Sequence, residues 1–372
     1  MSATPPLIGV DASRSFGPRR TGTEHYASEI TRQLIRLAPG RLRLYFRGAP
    51  TEPPPPGAEA FVLPAPRLWT HLRLGAEVAL RPPAVLFIPA HVMPLVCRPT
   101  AVVTVHDLGY EAFPMAHRAL DRAYLRWTTR RHVRRAACLL ADSSATRADL
   151  VRLYGADPER VRVVLLAPDG DLRPPEPEQV LLARAAAGLP PEGPYLLHVG
   201  TQQPRKNLRR LLEAFAAASD GRPELRLVLA GMPGWGDEGL AERARALGLV
   251  ERVHLPGYFP RALLAGLYGG ATALVMPSLY EGFGLPVVEA MACGTPVLCS
   301  GTSSLPEAAG GAAILVDPMD VGAIAGGIRR LVEDDELRAV LRGRGRQRIA
   351  LLSWEASARQ VLEILEEVAD GA

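Results

Sequence analysis

Two carboxylates, Glu281 and Glu289, stand eight positions apart in PSLYEGFGLPVVEAMACGTPV, residues 277–297. A glycine-rich turn and the start of a predicted helix lie between them. Glu281 precedes that helix, and Glu289 sits just over one turn into it. The backbone N–H groups around Phe283, Gly284 and Leu285 then occupy the helix N-terminus. Unbonded amides and the positive end of the helix dipole suit a diphosphate there. The two carboxylates can accept hydroxyl protons from sugars on either side of it. The plainer alternative is a capped helix with a glycine turn and a solvent-facing Glu.

A second cluster, HVGTQQPRKNL at 198–208, falls at the first strand-to-helix turn of the second half of the chain. Of 43 basic residues only Lys206 is lysine, and the next residue, Asn207, is the only asparagine. Arg205 and Lys206 precede a helix that Asn207 is expected to cap. Cations are mildly disfavoured by the dipole at a helix start, so delivery of two charges to a phosphate explains them better than simple exposure. His106 and Asp107 end a strand in VHDL. The RRTGTE loop at 19–24 puts Gly22 before a helix, which suits close approach of an acceptor or phosphate, or simply closes a loop.

The elements that must position these residues alternate. LIGVDAS (7–13), RLRLYFR (41–47), AVLFIPA (84–90), AVVTVHD (101–107), CLLADS (138–143) and RVRVVLLA (160–167) read as strands, with helices over 24–37, 119–136 and 144–154. A Pro- and Glu-rich linker containing one short helix follows. Strands over 195–201, 225–231, 253–257, 273–278 and 296–300 then alternate with helices over 207–218, 237–247, 260–269 and 285–292. Three helical stretches close the chain. The pattern predicts an α/β architecture of two Rossmann-like, doubly wound domains facing an interdomain cleft. The expected boundaries are 1–170 for the first domain, 171–193 for the linker, 194–352 for the second domain, and 353–372 for a helix packing back on the first.

Composition removes several classes. The formal net charge is only +4, with no global field of the kind that drives nucleic-acid binding, and no nucleic-acid partner is expected. Four cysteines without a Cys-x-x-Cys pair exclude a disulfide scaffold and a structural zinc site. MSATPPLIGVDAS has neither a basic nor an apolar leader region, so a cytoplasmic protein is expected. The uncharged stretch 262–280 contains Gly266, Gly269, Gly270 and Pro277, and reads as a helix, a break and a buried strand rather than a membrane span. Neither half carries G-x-G-x-x-G for a nicotinamide cofactor, and the sole lysine follows Arg205 where a P-loop requires Gly. Asp169-Gly170-Asp171 opens the linker and reads as a turn. No metal and no cofactor are expected.

Taken together, the two clusters resemble the family 4 retaining glycosyltransferases of the GT-B fold, notably bacterial mannosyltransferases of polysaccharide assembly. The resemblance runs through VHDL (105–108), PRKNL (204–208), GYFPRALLAGLY (257–268), EGFGLPVVEAMACGTPV (281–297) and SSLPEAAG (303–310). It implies that residues 1–170 bind the acceptor and 194–352 the nucleotide sugar, and that Glu281 contacts the transferred sugar, Glu289 the nucleotide ribose, and Lys206 the donor diphosphate. The family often places an Arg five residues before that Lys. Thr201 stands there in this chain, and Arg205 supplies a neighbouring charge. The catalytic set so implied is His106, Arg205, Lys206 and Glu281. The donor-binding set is Gly22, Thr201, Tyr258, Phe283, Gly284, Leu285 and Glu289. The expected reaction is transfer of a hexose, mannose from GDP-mannose first, to a saccharide or lipid-linked saccharide acceptor. A nucleotide-sugar epimerase on the same fold and a non-enzymatic basic binding protein are the alternatives.

Helix 119–136 carries Arg122, Arg126, Arg130 and Arg134 at four-residue spacing beside Leu120, Tyr124 and Trp127. A solvated arginine face is the simpler reading. Peripheral contact with an anionic membrane, at the inner face of the cytoplasmic membrane, is the other.

Overall fold

The computed structural model describes residues 6–17, 22–65, 67–90, 92–97, 100–116, 118–234 and 239–371. The chain divides into two compact units. One comprises residues 1–108, 119–166 and 353–372, the other residues 109–118 and 167–352.

The first unit is built on seven parallel strands: β1 (Ile8–Asp11), β2 (Leu42–Phe46), β3 (Ala58–Val62), β4 (Val85–Ile88), β5 (Thr100–Val105), β6 (Cys138–Ala141) and β7 (Val161–Val163). Their order is β3-β2-β1-β4-β5-β6-β7. β1, β4 and β6 are buried along their whole length, as expected of short apolar runs covered on both faces. The C-terminal helix Trp354–Asp370 belongs to this unit. Ser353 caps it by accepting the Ala356 N–H at 3.0 Å. It lies against helix Gly22–Leu37, with Trp354 edge-on to His25 and Tyr26, and Arg41 pairs with Glu366 at 2.6 Å.

The second unit holds six parallel strands: β8 (Tyr195–Val199), β9 (Arg226–Ala230), β10 (Val253–Gly257), β11 (Ala273–Met276), β12 (Val297–Ser300) and β13 (Ala313–Val316). They are ordered β10-β9-β8-β11-β12-β13. Leu196, Leu227, Val275 and Leu298 from these strands pack with Leu211, Phe215, Ile324 and Ile328 from the covering helices. The strand order reverses between β8 and β11. In open parallel sheets, ligands bind outside the carboxyl ends of the strands at such a reversal.

Some elements differ from the sequence reading. β3 and the helical turns from Thr70 to Leu80 lie between the strands expected at 41–47 and 84–90, where no element was read. β3 has a half-exposed, non-alternating burial pattern because it is an edge strand, so it lacks the apolar signal of its neighbours. β7 is three residues long rather than the eight expected. β13 lies within the stretch expected to be helical. The segment read as a linker belongs to the second unit, where helix Pro177–Ala186 packs on helix Arg261–Gly269. A Cβ at Gly266 would come within 2.2 Å of the Gln179 carbonyl oxygen, so only glycine permits that approach. Asp169 to Asp171 is indeed a turn, with Asp169 paired to Arg261. The uncharged stretch 262–280 forms most of one helix and then β11, and no helix among the described residues is long and apolar enough to cross a membrane.

Candidate active site

The loops after β8 and β11 leave the second sheet on either side of its reversal. They are tied together by the Leu279 N–H, which donates to the Arg205 carbonyl at 2.7 Å. Residues 204–206 make a single 3-10 turn, and this places Arg205 and Lys206 beside Glu281. Lys206 Nζ donates to Glu281 Oε1 at 2.6 Å, and Arg205 Nη1 donates to Oε2 at 2.5 Å. Arg205 also donates to the Tyr280 carbonyl at 3.1 Å and to Gln203 Oε1 at 3.2 Å. Lys206 and Glu281 are both buried. Burial alone would raise the Glu281 pKa, but the two cations outweigh it and pull the carboxyl down to about 2.

Asn207 explains its own uniqueness. It was expected to cap the following helix, yet its side chain makes no cap hydrogen bond. The residue has a left-handed backbone, φ 61°, which Asn tolerates better than other side chains. Its amide donates instead to the carbonyls of Pro277, 3.0 Å, and Pro318, 2.7 Å, while its oxygen accepts from Arg210 at 2.9 Å. Asn207 thus pins the cationic turn to the end of β11.

The glycine-rich turn leads into helix Leu285–Ala292, with Glu289 one turn inside it. Gly284 is the N-cap at φ 106°, and a Cβ there would lie 2.6 Å from a Leu305 methyl. Phe283 is buried and Leu285 half-buried. Ser303 and Ser304 hold the turn from beyond β12. The Ser303 hydroxyl donates to the Glu281 carbonyl at 2.8 Å and accepts the Glu281 N–H at 3.2 Å. The Ser304 hydroxyl lies 2.9 Å from the carbonyls of Glu281 and Phe283. Tyr268 donates its phenol proton to Glu289 Oε2 at 2.7 Å. Thr201 is exposed after β8, and Tyr258 is exposed just past the edge strand β10.

Four further residues contribute without having been given a role from the sequence, although the quoted segments contain them: Tyr268 closes GYFPRALLAGLY, Ser303 and Ser304 open SSLPEAAG, and His198 opens HVGTQQPRKNL. His198 also stands out inside the apolar strand YLLHV. It is buried and its Nδ1 faces the Val275 carbonyl at 3.1 Å, so that nitrogen carries the proton. Burial and the neighbouring Lys206 ammonium push its pKa down to about 4.

Gly22 and His106 belong to the first unit. Gly22 opens helix Gly22–Leu37, and residues 18–21 of the preceding loop lie outside the described residues. His106 follows β5 with both ring nitrogens engaged: Nδ1 lies 2.7 Å from Asp142 Oδ2 and Nε2 lies 2.8 Å from the Pro89 carbonyl. A carbonyl can only accept, so Nε2 is protonated, and a further proton lies between Nδ1 and Asp142. Burial opposes the charged ring, but the Asp142 carboxylate and the Pro89 carbonyl raise its pKa above the ordinary value.

Comparison with known proteins fits this arrangement. The glycosyl transferases group 1 family matches residues 182–348, and glycosyltransferase family 4 matches residues 20–172. The O-antigen chain mannosyltransferase B of Escherichia coli is 35% identical over 266 residues, spanning 70% of this chain and 69% of that protein. The chain belongs to the family 4 glycosyltransferases. A D-inositol 3-phosphate glycosyltransferase of Thermomonospora curvata is 36% identical over 61% of this chain, and the match spans 56% of that relative's length. Sucrose-phosphate synthase from Thermosynechococcus elongatus has the same fold, with TM-score 0.78, 23% identity, and coverage of 99% of this chain and 100% of that one. Anabaena Alr3699/HepE in complex with UDP-glucose matches with TM-score 0.74 and 18% identity over 98% of this chain and all of that one. The two parallel-sheet units of this glycosyltransferase are those of the GT-B fold.

Proposed function

We propose that this glycosyltransferase moves a hexose from a nucleotide sugar to a saccharide or lipid-linked saccharide with retention of configuration, GDP-mannose being the first donor to test. The observation that carries the reading is the buried Glu281 carboxylate gripped by Lys206 and Arg205 where the second sheet reverses. A diphosphate at the start of helix Leu285–Ala292 would meet two cations and the helix dipole. As the glycosidic bond breaks, negative charge grows on the leaving diphosphate and positive charge on the sugar ring. Lys206 and Arg205 would stabilise the first and Glu281 the second. A carboxyl with so low a pKa serves as an electrostatic partner and not as a proton donor, so the leaving diphosphate would take the acceptor proton. Glu289, oriented by Tyr268, would hold the nucleotide ribose, and Gly22, Thr201, Tyr258 and His106 would complete the contacts.

Mannose is supported by the mannosyltransferase named above, while UDP-glucose is the second donor because a structure of the same fold holds it. The proposal includes peripheral contact with an anionic membrane through the helix bearing Arg122, Arg126, Arg130 and Arg134, which would present a lipid-linked acceptor.

Calorimetric titration of GDP, UDP, GDP-mannose and UDP-glucose with EDTA present tests the donor site. One nucleotide sugar is expected to saturate the wild type and to bind at least about tenfold more weakly to Lys206→Ala. Glu281→Gln is expected to slow transfer by roughly a hundredfold while binding changes far less. Wild-type behaviour of both variants, or no binding of any of these ligands, would remove the site.

A further inference from the structure

The arginine row does not form one exposed face. Residues four apart on a helix drift by about 40° per step, so a row of four turns through about 120°. Arg122 and Arg126 are half-buried, whereas Arg130 and Arg134 are exposed along with Arg135. The face that is outward along helix Ala119–Arg135 runs through Leu120, which is 84% exposed, then Tyr124 and Trp127, whose rings stack with centroids 6.1 Å apart.

Two other segments extend that face. The His71 ring lies 3.0 Å from the Tyr124 hydroxyl, bringing alongside a helical segment whose Leu72 is 62% exposed. Arg131 donates to the carbonyls of Pro94 and Leu95, and this places the exposed pair Leu95 and Val96 beside the same helix. Six large apolar side chains from three segments therefore share one surface, with Arg130, Arg134 and Arg135 on it. The helix contributes a single acid, Asp121, in its first turn.

We propose that this surface of the first unit docks on a bilayer containing anionic lipid. Leu72, Leu120, Tyr124 and Trp127 enter the headgroup boundary, while Arg130, Arg134 and Arg135 meet lipid phosphates. Tyr and Trp carry an apolar ring with a polar edge and favour that boundary, and arginine stems lie along it with their charge in the headgroups. Each basic residue near an anionic surface strengthens binding roughly fivefold. A two-fold contact with a second copy would instead bring this arginine-rich rim against an equally basic one. The inference deepens the proposed membrane contact and rests on it only for the choice of helix; Arg122 and Arg126 lie off the docking face.

The test is co-sedimentation of the full chain with vesicles of phosphatidylcholine alone and of phosphatidylcholine mixed with phosphatidylglycerol. Binding is expected to the mixed vesicles only, with a blue shift of tryptophan fluorescence. The double variant Arg130→Glu/Arg134→Glu is expected to bind at least about tenfold more weakly. Leu120→Ser/Trp127→Ser, which leaves the charge intact, is also expected to weaken binding. Arg344→Glu/Arg346→Glu, the same charge change at exposed positions of helix Asp335–Ile349 in the second unit, is expected to bind like the wild type. Absence of binding to both vesicle types would overturn the proposal. So would an equal loss in the Arg344/Arg346 variant, which would show only general attraction of a basic protein. A concentration-dependent dimer lost in Trp127→Ser, without vesicle binding, would assign the face to a second copy. No donor or acceptor is needed, so the outcome is independent of the transfer assay.

Discussion

The charges that hold Glu281 bear on stability as well as on its proposed role. Its folded pKa of about 2 lies below the ordinary 4.5, because Lys206 and Arg205 more than offset the effect of burial. A depressed carboxyl pKa contributes stability that is fully present above the unfolded value and is lost as pH falls through the folded one. Glu281→Gln should therefore be less stable than the wild type at neutral pH, by a few kcal/mol in order of magnitude. The gap should close as the pH is taken from 4.5 toward 2. Urea unfolding of both proteins across that range checks this, and a gap that does not change with pH would contradict the assigned ion pairs. At this scale the sequence drew attention to the cluster through rarity: the only lysine and the only asparagine are adjacent. It could not show their partners. Glu281 lies 75 residues from Lys206, and the Asn207 amide reaches carbonyls 70 and 111 residues away. Capping was the nearest local role on offer for Asn207, and a long-range one prevailed.

Among the elements, the turn from β11 into helix Leu285–Ala292 tolerates little change. Gly284→Ala forces an L-residue to φ 106° and drives its Cβ to 2.6 Å from Leu305. Conformational strain and overpacking together should cost about 2–4 kcal/mol. The measurement is the thermal midpoint together with donor affinity, and both are expected to fall. Leu305→Ala in the same chain should recover the packing part and leave the conformational part; an unshifted midpoint in Gly284→Ala would refute the account. Buried strands such as β4 and β11 were legible because a parallel strand covered on both faces must be a continuous apolar run. β3, at the edge and half in solvent, had no such run to read. The helical turns over 70–80 were likewise missed, being short and carrying Leu72 and Leu80 on the outside.

For the molecule as a whole, the C-terminal helix matters more than its position in the chain suggests. Trp354, Ala358, Val361, Ile364 and Leu365 are buried in the first unit. Trp354→Ala removes a ring packed on His25 and Tyr26 and should destabilise that unit by about 3–5 kcal/mol. Hydrogen exchange should show lost protection in β1, β4 and β5 while β8 to β12 keep theirs; equal loss in both sheets would mean that the units unfold together. The helical spacing of these apolar residues is what made the helix legible in the sequence.

That same helix sets an order of assembly during synthesis. Residues 167–352 form a continuous stretch and are all available before residue 353 is made. The unit that contains the first strand is therefore the last to be completed. Until residues 353–370 leave the ribosome, the side chains that receive Trp354 and Val361 stay uncovered, and the nascent chain exposes apolar surface of the kind that chaperones recognise. Stop codons just short of residue 353 should therefore yield chains with an ordered second unit and an aggregation-prone first one.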